Sequence, residues 1–134
     1  MNIVNVIIDW VPNNYAATLA DSSLACVATG ETLEAVKDNI VEAIKYHIEG
    51  LILDGEPIPK QFCGKWCPSF ELSTRAQLKY CDLYITRKAL AKETGINEQQ
   101  LSHYANGQRH PRQAMQNRIT AGIRSISNRL SGIL

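Results

Sequence analysis

The run TRKALAKETGINEQQLSHYANGQRHP occupies residues 86–111 and decides how the C-terminal half is read. Thr86 stands where a hydroxyl would cap a helix over Arg87–Thr94. Gly95-Ile96-Asn97 then forms a tight turn, since Gly95 can take a positive φ that a side chain disfavours. Asn97 caps a second helix over Glu98–Asn106, and Glu98 meets the positive end of its dipole. Gly107 stops that helix and Pro111 prevents its continuation. Within the run, Leu90-Ala91-x3-Gly95-Ile96-x4-Leu101 places a small residue at the helix crossing and two apolar anchors on the second helix. A helix-turn-helix needs that combination to aim its second helix outward.

Working outward, Ser73 or Thr74 can cap a helix over Arg75–Leu83. A last helix spans Arg112–Leu130, with Met115, Ile119, Ile123, Ile126 and Leu130 on one face. Upstream of residue 73 the periodicity changes. Ile3–Trp10 is rich in β-branched residues and reads as a strand, Pro12-Asn13-Asn14 as a turn, and Tyr15–Leu19 as its hairpin partner. Asp21-Ser22-Ser23 breaks the pattern, and Ala25–Thr29 gives a third strand ended by Gly30. Thr32 caps a helix whose Leu33, Val36, Ile40, Ile44, Ile48 and Leu51 form a stripe facing a sheet, until Asp54-Gly55 ends it. Glu56-Pro57-Ile58-Pro59 is extended, residues 60–68 are loop, and Phe70-Glu71-Leu72 closes the sheet. The fold class is α+β. A β-β-β-α-β domain over residues 1–73 precedes an all-α domain over residues 74–134.

The 134 residues carry a net charge of +1, which hides an asymmetry. Residues 1–74 hold four Lys/Arg against ten Asp/Glu, a net of −6; residues 75–134 hold ten against three, a net of +7. The basic part suits a polyanion, and the acidic part suits a basic protein. Cys63 and Cys67 form a C-x3-C pair with no second Cys/His pair at zinc-site spacing, so Cys26, Cys63, Cys67 and Cys81 are expected to be thiols and no metal or other cofactor is expected. No stretch is long and apolar enough to span a bilayer, and the N-terminus lacks a basic leader, so a cytoplasmic protein is expected.

Gly95, Leu101, Gly107 and Pro111 sit at the spacing of the Cro/phage-repressor (XRE) class of helix-turn-helix, which residues 86–111 resemble. The resemblance implies that the second helix reads the major groove of double-stranded operator DNA. The base-facing candidates are then Glu98, Gln99, Gln100 and His103. Arg87, Lys88, Asn106, Gln108, Arg109 and Arg112 are candidates for phosphate contact. It further implies a homodimer, or a tetramer, on palindromic half-sites. Basic residues on a surface helix are more often only a solvated face, but clustered amides on the second helix argue for readout.

Residues 25–36, together with Ile40-x-Glu42-Ala43-Ile44 and Glu49-Gly50-Leu51-x3-Gly55-Glu56-Pro57-Ile58-Pro59, resemble the HicB antitoxin family. One branch of that family carries an XRE-type domain at its C-terminus. The resemblance implies a partial RNase H-like sheet that binds and blocks a HicA-type RNA-cleaving toxin, and a regulator that represses its own operon. The toxin-binding candidates are Glu31, Glu34, Asp38, Glu42 and Glu49, which would occupy the toxin's basic surface in place of RNA. The alternative is a stand-alone XRE-type repressor whose front domain senses a ligand or oligomerises. No catalytic residue is expected: Asp9 has no second carboxylate forced to meet it, His47 lies beside the helix stripe, and no nucleophile–base spacing is present.

Overall fold

The computed structural model describes residues 1–21 and 23–134 and divides the chain into two compact units, Met1–Ser73 and Thr74–Leu134. Strand β1 (Asn2–Val11) pairs antiparallel with β2 (Asn14–Leu19), in a register that sets Val11 opposite Asn14. The turn between them carries Asn13 at φ 80°, a conformation asparagine tolerates better than most side chains. β2 pairs antiparallel with β3 (Val27–Gly30). After helix α1 (Leu33–Leu53), β4 (Trp66–Leu72) returns parallel to β1, so the sheet order is β3-β2-β1-β4. A parallel return needs a long crossover, and α1 supplies it.

Side-chain alternation decides which face is covered. Val4, Val6 and Ile8 of β1 and Tyr15, Ala17 and Leu19 of β2 are buried, as are Leu33, Val36, Ile40 and Ile44 of α1. Each fully buried aliphatic chain contributes about 1.5–3 kcal/mol relative to exposure. Ile3 and Ile7 point the other way and stay 64% and 40% exposed. Thr32 caps α1, its Oγ1 accepting from the Ala35 N–H at 3.1 Å.

Three expectations for this unit need correction. β3 begins at Val27 and not Ala25, because Cys26 is drawn into the core with its thiol toward the Ala43 carbonyl. The stretch expected as loop over 60–68 contains a short 3-10 turn at Lys60–Phe62 and the first half of β4, which starts at Trp66 and not Phe70. Pro68 masked that strand in the sequence; β4 is an edge strand, where a missing N–H costs no ladder bond. The α1 stripe also loosens, with Ile48 and Leu51 only half-buried. Of the expected break at Asp21-Ser22-Ser23, Ser22 lies outside the described residues; Asp21 accepts from the Ser23 N–H at 2.9 Å.

The second unit is all helix: α2 (Thr74–Cys81), α3 (Arg87–Thr94), α4 (Glu98–Ala105) and α5 (Gln113–Ser131). Leu78, Leu90, Ile96, Leu101, Tyr104, Ala105 and Ile119 form its core, with Ile85, Ala91, Met115, Ile123 and Ile126 packed against it. Leu130 was expected to continue the α5 stripe but is 55% exposed, because the last turn of α5 runs past the core. A buried crossing of α3 and α5 is made at Gly122, where an added Cβ would lie 2.4 Å from the Thr94 methyl.

Candidate nucleic-acid interface

Three hydrogen bonds build the helix pair. Thr86 Oγ1 accepts from the Ala89 N–H at 3.0 Å and starts α3. Gly95 ends it at φ 73°, its N–H reaching the Ala91 carbonyl at 2.9 Å. Asn97 Oδ1 accepts from the Gln100 N–H at 2.7 Å and starts α4 two residues after Gly95. Thr94 braces the turn from within: its hydroxyl donates to the Leu90 carbonyl at 2.8 Å and accepts from the Ile96 N–H at 3.2 Å. Arg118 of α5 clamps the same corner, donating through Nη2 to the Thr94 carbonyl at 2.9 Å.

With Leu101, Tyr104 and Ala105 buried, α4 turns Glu98 and Gln99 fully outward and leaves Gln100 and His103 half-exposed. Asn106 caps its C-terminus, and Gly107 follows at φ 76°. The His103 carbonyl accepts from the Gln108 N–H at 2.9 Å, fixing the path of an exposed segment that holds Gln108, Arg109 and His110. Lys88 and Arg112 are exposed as well.

Arg87 departs from the expectation of a phosphate contact. It is half-buried, with Nη2 donating to Asp82 at 2.8 Å and Nη1 to the Ser102 hydroxyl at 3.1 Å. Its guanidinium ties the start of α3 to α4 and is spent inside the unit. Gln100 is also engaged, its amide nitrogen donating to the Tyr104 hydroxyl at 2.6 Å. Arg75 was missed in the sequence: its guanidinium lies over Gly107, 3.1 Å from where a Cβ would stand. The contacts of Arg87 with Ser102 and of Arg75 with Gly107 span 15 and 32 residues, so helix spacing could not have found them, whereas Gln100 and Tyr104 are four apart on one helix.

In the first unit, Glu31, Glu34, Asp38, Glu42 and Glu49 are all exposed. Glu34, Asp38, Glu42 and Glu49 lie on the side of α1 opposite its buried stripe, and Glu42 pairs with Lys45 at 3.8 Å. Tyr46 and Leu53 stand on the same outer side at 80% and 86% exposure. Asp9 accepts from the Trp10 N–H at 2.8 Å and the Ser73 hydroxyl at 2.6 Å, so it fastens the end of β1. Cys26, Cys63, Cys67 and Cys81 are free thiols; burial pushes the thiols of Cys26 and Cys81 above their ordinary range. Among the described residues no group of three or more His, Cys, Asp or Glu is placed to hold a metal ion, and no helix is long and apolar enough to cross a membrane.

Residues 77–115 match the family model described as Helix-turn-helix, a span that runs from α2 into α5. The helical unit therefore carries a helix-turn-helix domain of the XRE type over residues 77–115, the kind found in DNA-binding regulators. Over 55 residues the chain is also 36% identical to an uncharacterized 14.9 kDa protein in the rep-hol intergenic region of Haemophilus phage HP1 (strain HP1c1). That likeness covers 41% of this chain and 41% of the phage protein, so the chain matches well under half the relative's length.

Proposed function

We infer that the protein is a transcription regulator that reads a duplex operator by laying α4 in the major groove. One observation carries this reading: α4 buries Leu101, Tyr104 and Ala105 and leaves Glu98, Gln99, Gln100 and His103 accessible, beside the exposed Asn106, Gln108 and Arg109. Glutamine matches the donor–acceptor edge of adenine and glutamate accepts from cytosine. Lys88, Asn106, Gln108, Arg109 and Arg112 supply phosphate contacts, and Arg87 holds the reading helix in place. Two copies on a palindromic site would each read one half-site, about one helical turn apart.

Selection from a random duplex pool tests it, with an enriched palindrome as the expected result. Gln100→Ala is expected to weaken binding to that site by about 1–3 kcal/mol and leave random DNA almost unaffected. Arg109→Ala is expected to weaken both and to reduce the salt slope by about one. A pool with no enriched sequence removes the reading.

The finer reading is a HicB-like antitoxin that neutralises a HicA-type RNA-cleaving toxin and represses its own operon. Its supports are an antiparallel meander followed by a helical crossover to a parallel strand, as a partial RNase H-like sheet requires, and the exposed carboxylates Glu31, Glu34, Asp38, Glu42 and Glu49. Tyr46 and Leu53 add apolar anchors to that acidic surface. The reading predicts a neighbouring gene for a small basic protein, and co-expression with that product is the test. Rescue of growth supports the antitoxin, and undiminished toxicity refutes it.

A further inference from the structure

Gln100 lies half-buried at the start of α4, and its amide nitrogen donates to the Tyr104 hydroxyl one helical turn later at 2.6 Å. The tyrosine ring is itself fixed: Tyr104 is 6% exposed and packs in the core with Leu90, Leu101 and Ile119. Gln100 is fixed at its other end too, since its backbone N–H is held by the Asn97 cap at 2.7 Å. A flexible side chain is thereby restrained between two anchored points. We propose that Tyr104 is a positioning residue for sequence readout, holding the Gln100 amide in one orientation before DNA arrives.

The chemistry of the amide makes this useful. A glutamine nitrogen carries two hydrogens and its oxygen accepts. One hydrogen is committed to Tyr104, which leaves the second hydrogen and Oε1 as an adjacent donor–acceptor pair. Adenine presents the complementary pair, N7 and the N6 amine, on the major-groove edge. A free glutamine would lose rotamer freedom on forming that bidentate contact; one already restrained loses less. Restraint also disfavours the rotated amide that would suit other bases, so the hydroxyl adds discrimination as well as affinity.

This inference rests on α4 being the helix in the major groove, and the test separates the two. Tyr104→Phe keeps the buried ring and removes only the hydroxyl. In the free protein, nitrogen relaxation is expected to show an ordered Gln100 side-chain amide that becomes mobile in Tyr104→Phe. Across a panel of operators with single base-pair changes, Tyr104→Phe is expected to lose about two- to tenfold in affinity for the preferred site. It should flatten discrimination at one base pair per half-site, with random-DNA affinity and salt slope unchanged. In the Gln100→Ala background, Tyr104→Phe should add nothing at that base pair. Equal losses on specific and random DNA would mark Tyr104 as merely structural, and an unchanged base profile or an unchanged amide order would equally overturn the inference while leaving DNA reading intact. A wild-type protein with no sequence preference would remove both.

Discussion

Gly122 is a residue whose smallness the fold depends on. An added Cβ would meet the Thr94 methyl at 2.4 Å, well inside contact distance. Alanine raises helix propensity by about 1 kcal/mol over glycine, but overpacking a tight crossing costs about 1–3 kcal/mol. Gly122→Ala is therefore expected to destabilise by about 1–2 kcal/mol in urea unfolding, and Thr94→Ser to restore most of that loss by removing the methyl while keeping the hydroxyl bonds to Leu90 and Ile96. Additive effects of the two changes would contradict the clash. Arg87 makes a second prediction, since its bonds to Asp82 and Ser102 are internal. Arg87→Ala is expected to cost about 1–3 kcal/mol of stability, because half-buried partners lose a charged donor. Its salt slope on DNA should stay that of the wild type, unlike Arg109→Ala. The sequence shows which α4 residues follow the apolar anchors and so face outward. It cannot show that Arg87 closes on residues five before and fifteen after it, or that Gln100 is already held.

Elements were legible where a local rule fixed them. Thr32, Thr86 and Asn97 are read as caps, and each side chain accepts from the N–H three residues on. β4 was hidden because its pairing is non-local: Pro68 reads as a breaker until β4 is known to lie at the sheet edge beside β1. The tie between α3 and α5 is also non-local and carries a pH signature. The Ser125 hydroxyl, and secondarily Arg129, hold the Glu93 carboxyl below the usual carboxylate range. A carboxylate with a depressed value in the folded state stabilises fully above its ordinary range and loses that contribution as pH falls through the depressed value. Ser125→Ala is thus expected to be less stable than wild type at neutral pH. The difference should shrink as the pH falls below about 4. Urea midpoints across that range check it, and a gap that stays constant would show that Glu93 ionisation is not involved.

On the scale of the whole molecule, charge divides the chain into an acidic and a basic part. Residues 1–74 carry −6 and residues 75–134 carry +7. A basic unit gains affinity for DNA by releasing counterions, while an acidic unit would be repelled by the same phosphates, so the segregation leaves most of the carboxylates, ten of thirteen, outside the helical unit. Under the antitoxin reading the carboxylates of the first unit would steer a basic protein partner, an effect that acts mainly on association rate and fades with salt. Converting Glu34, Asp38, Glu42 and Glu49 to amides takes residues 1–74 from −6 to −2 without touching the buried stripe of α1. Surface changes of this kind cost within about 0.5 kcal/mol each, so the fold should persist. If the antitoxin reading holds, the expected outcome is slower capture of the basic partner by about tenfold or more at low salt, with the salt dependence of capture largely abolished. Operator affinity should be unchanged. Rapid-mixing association rates at two salt concentrations, alongside operator titrations, measure both. An unaltered capture rate would mean that the acidic face of α1 is only solvated, and would transfer the partner-binding role to the apolar positions Tyr46 and Leu53 on the same side, whose exposure is 80% and 86%.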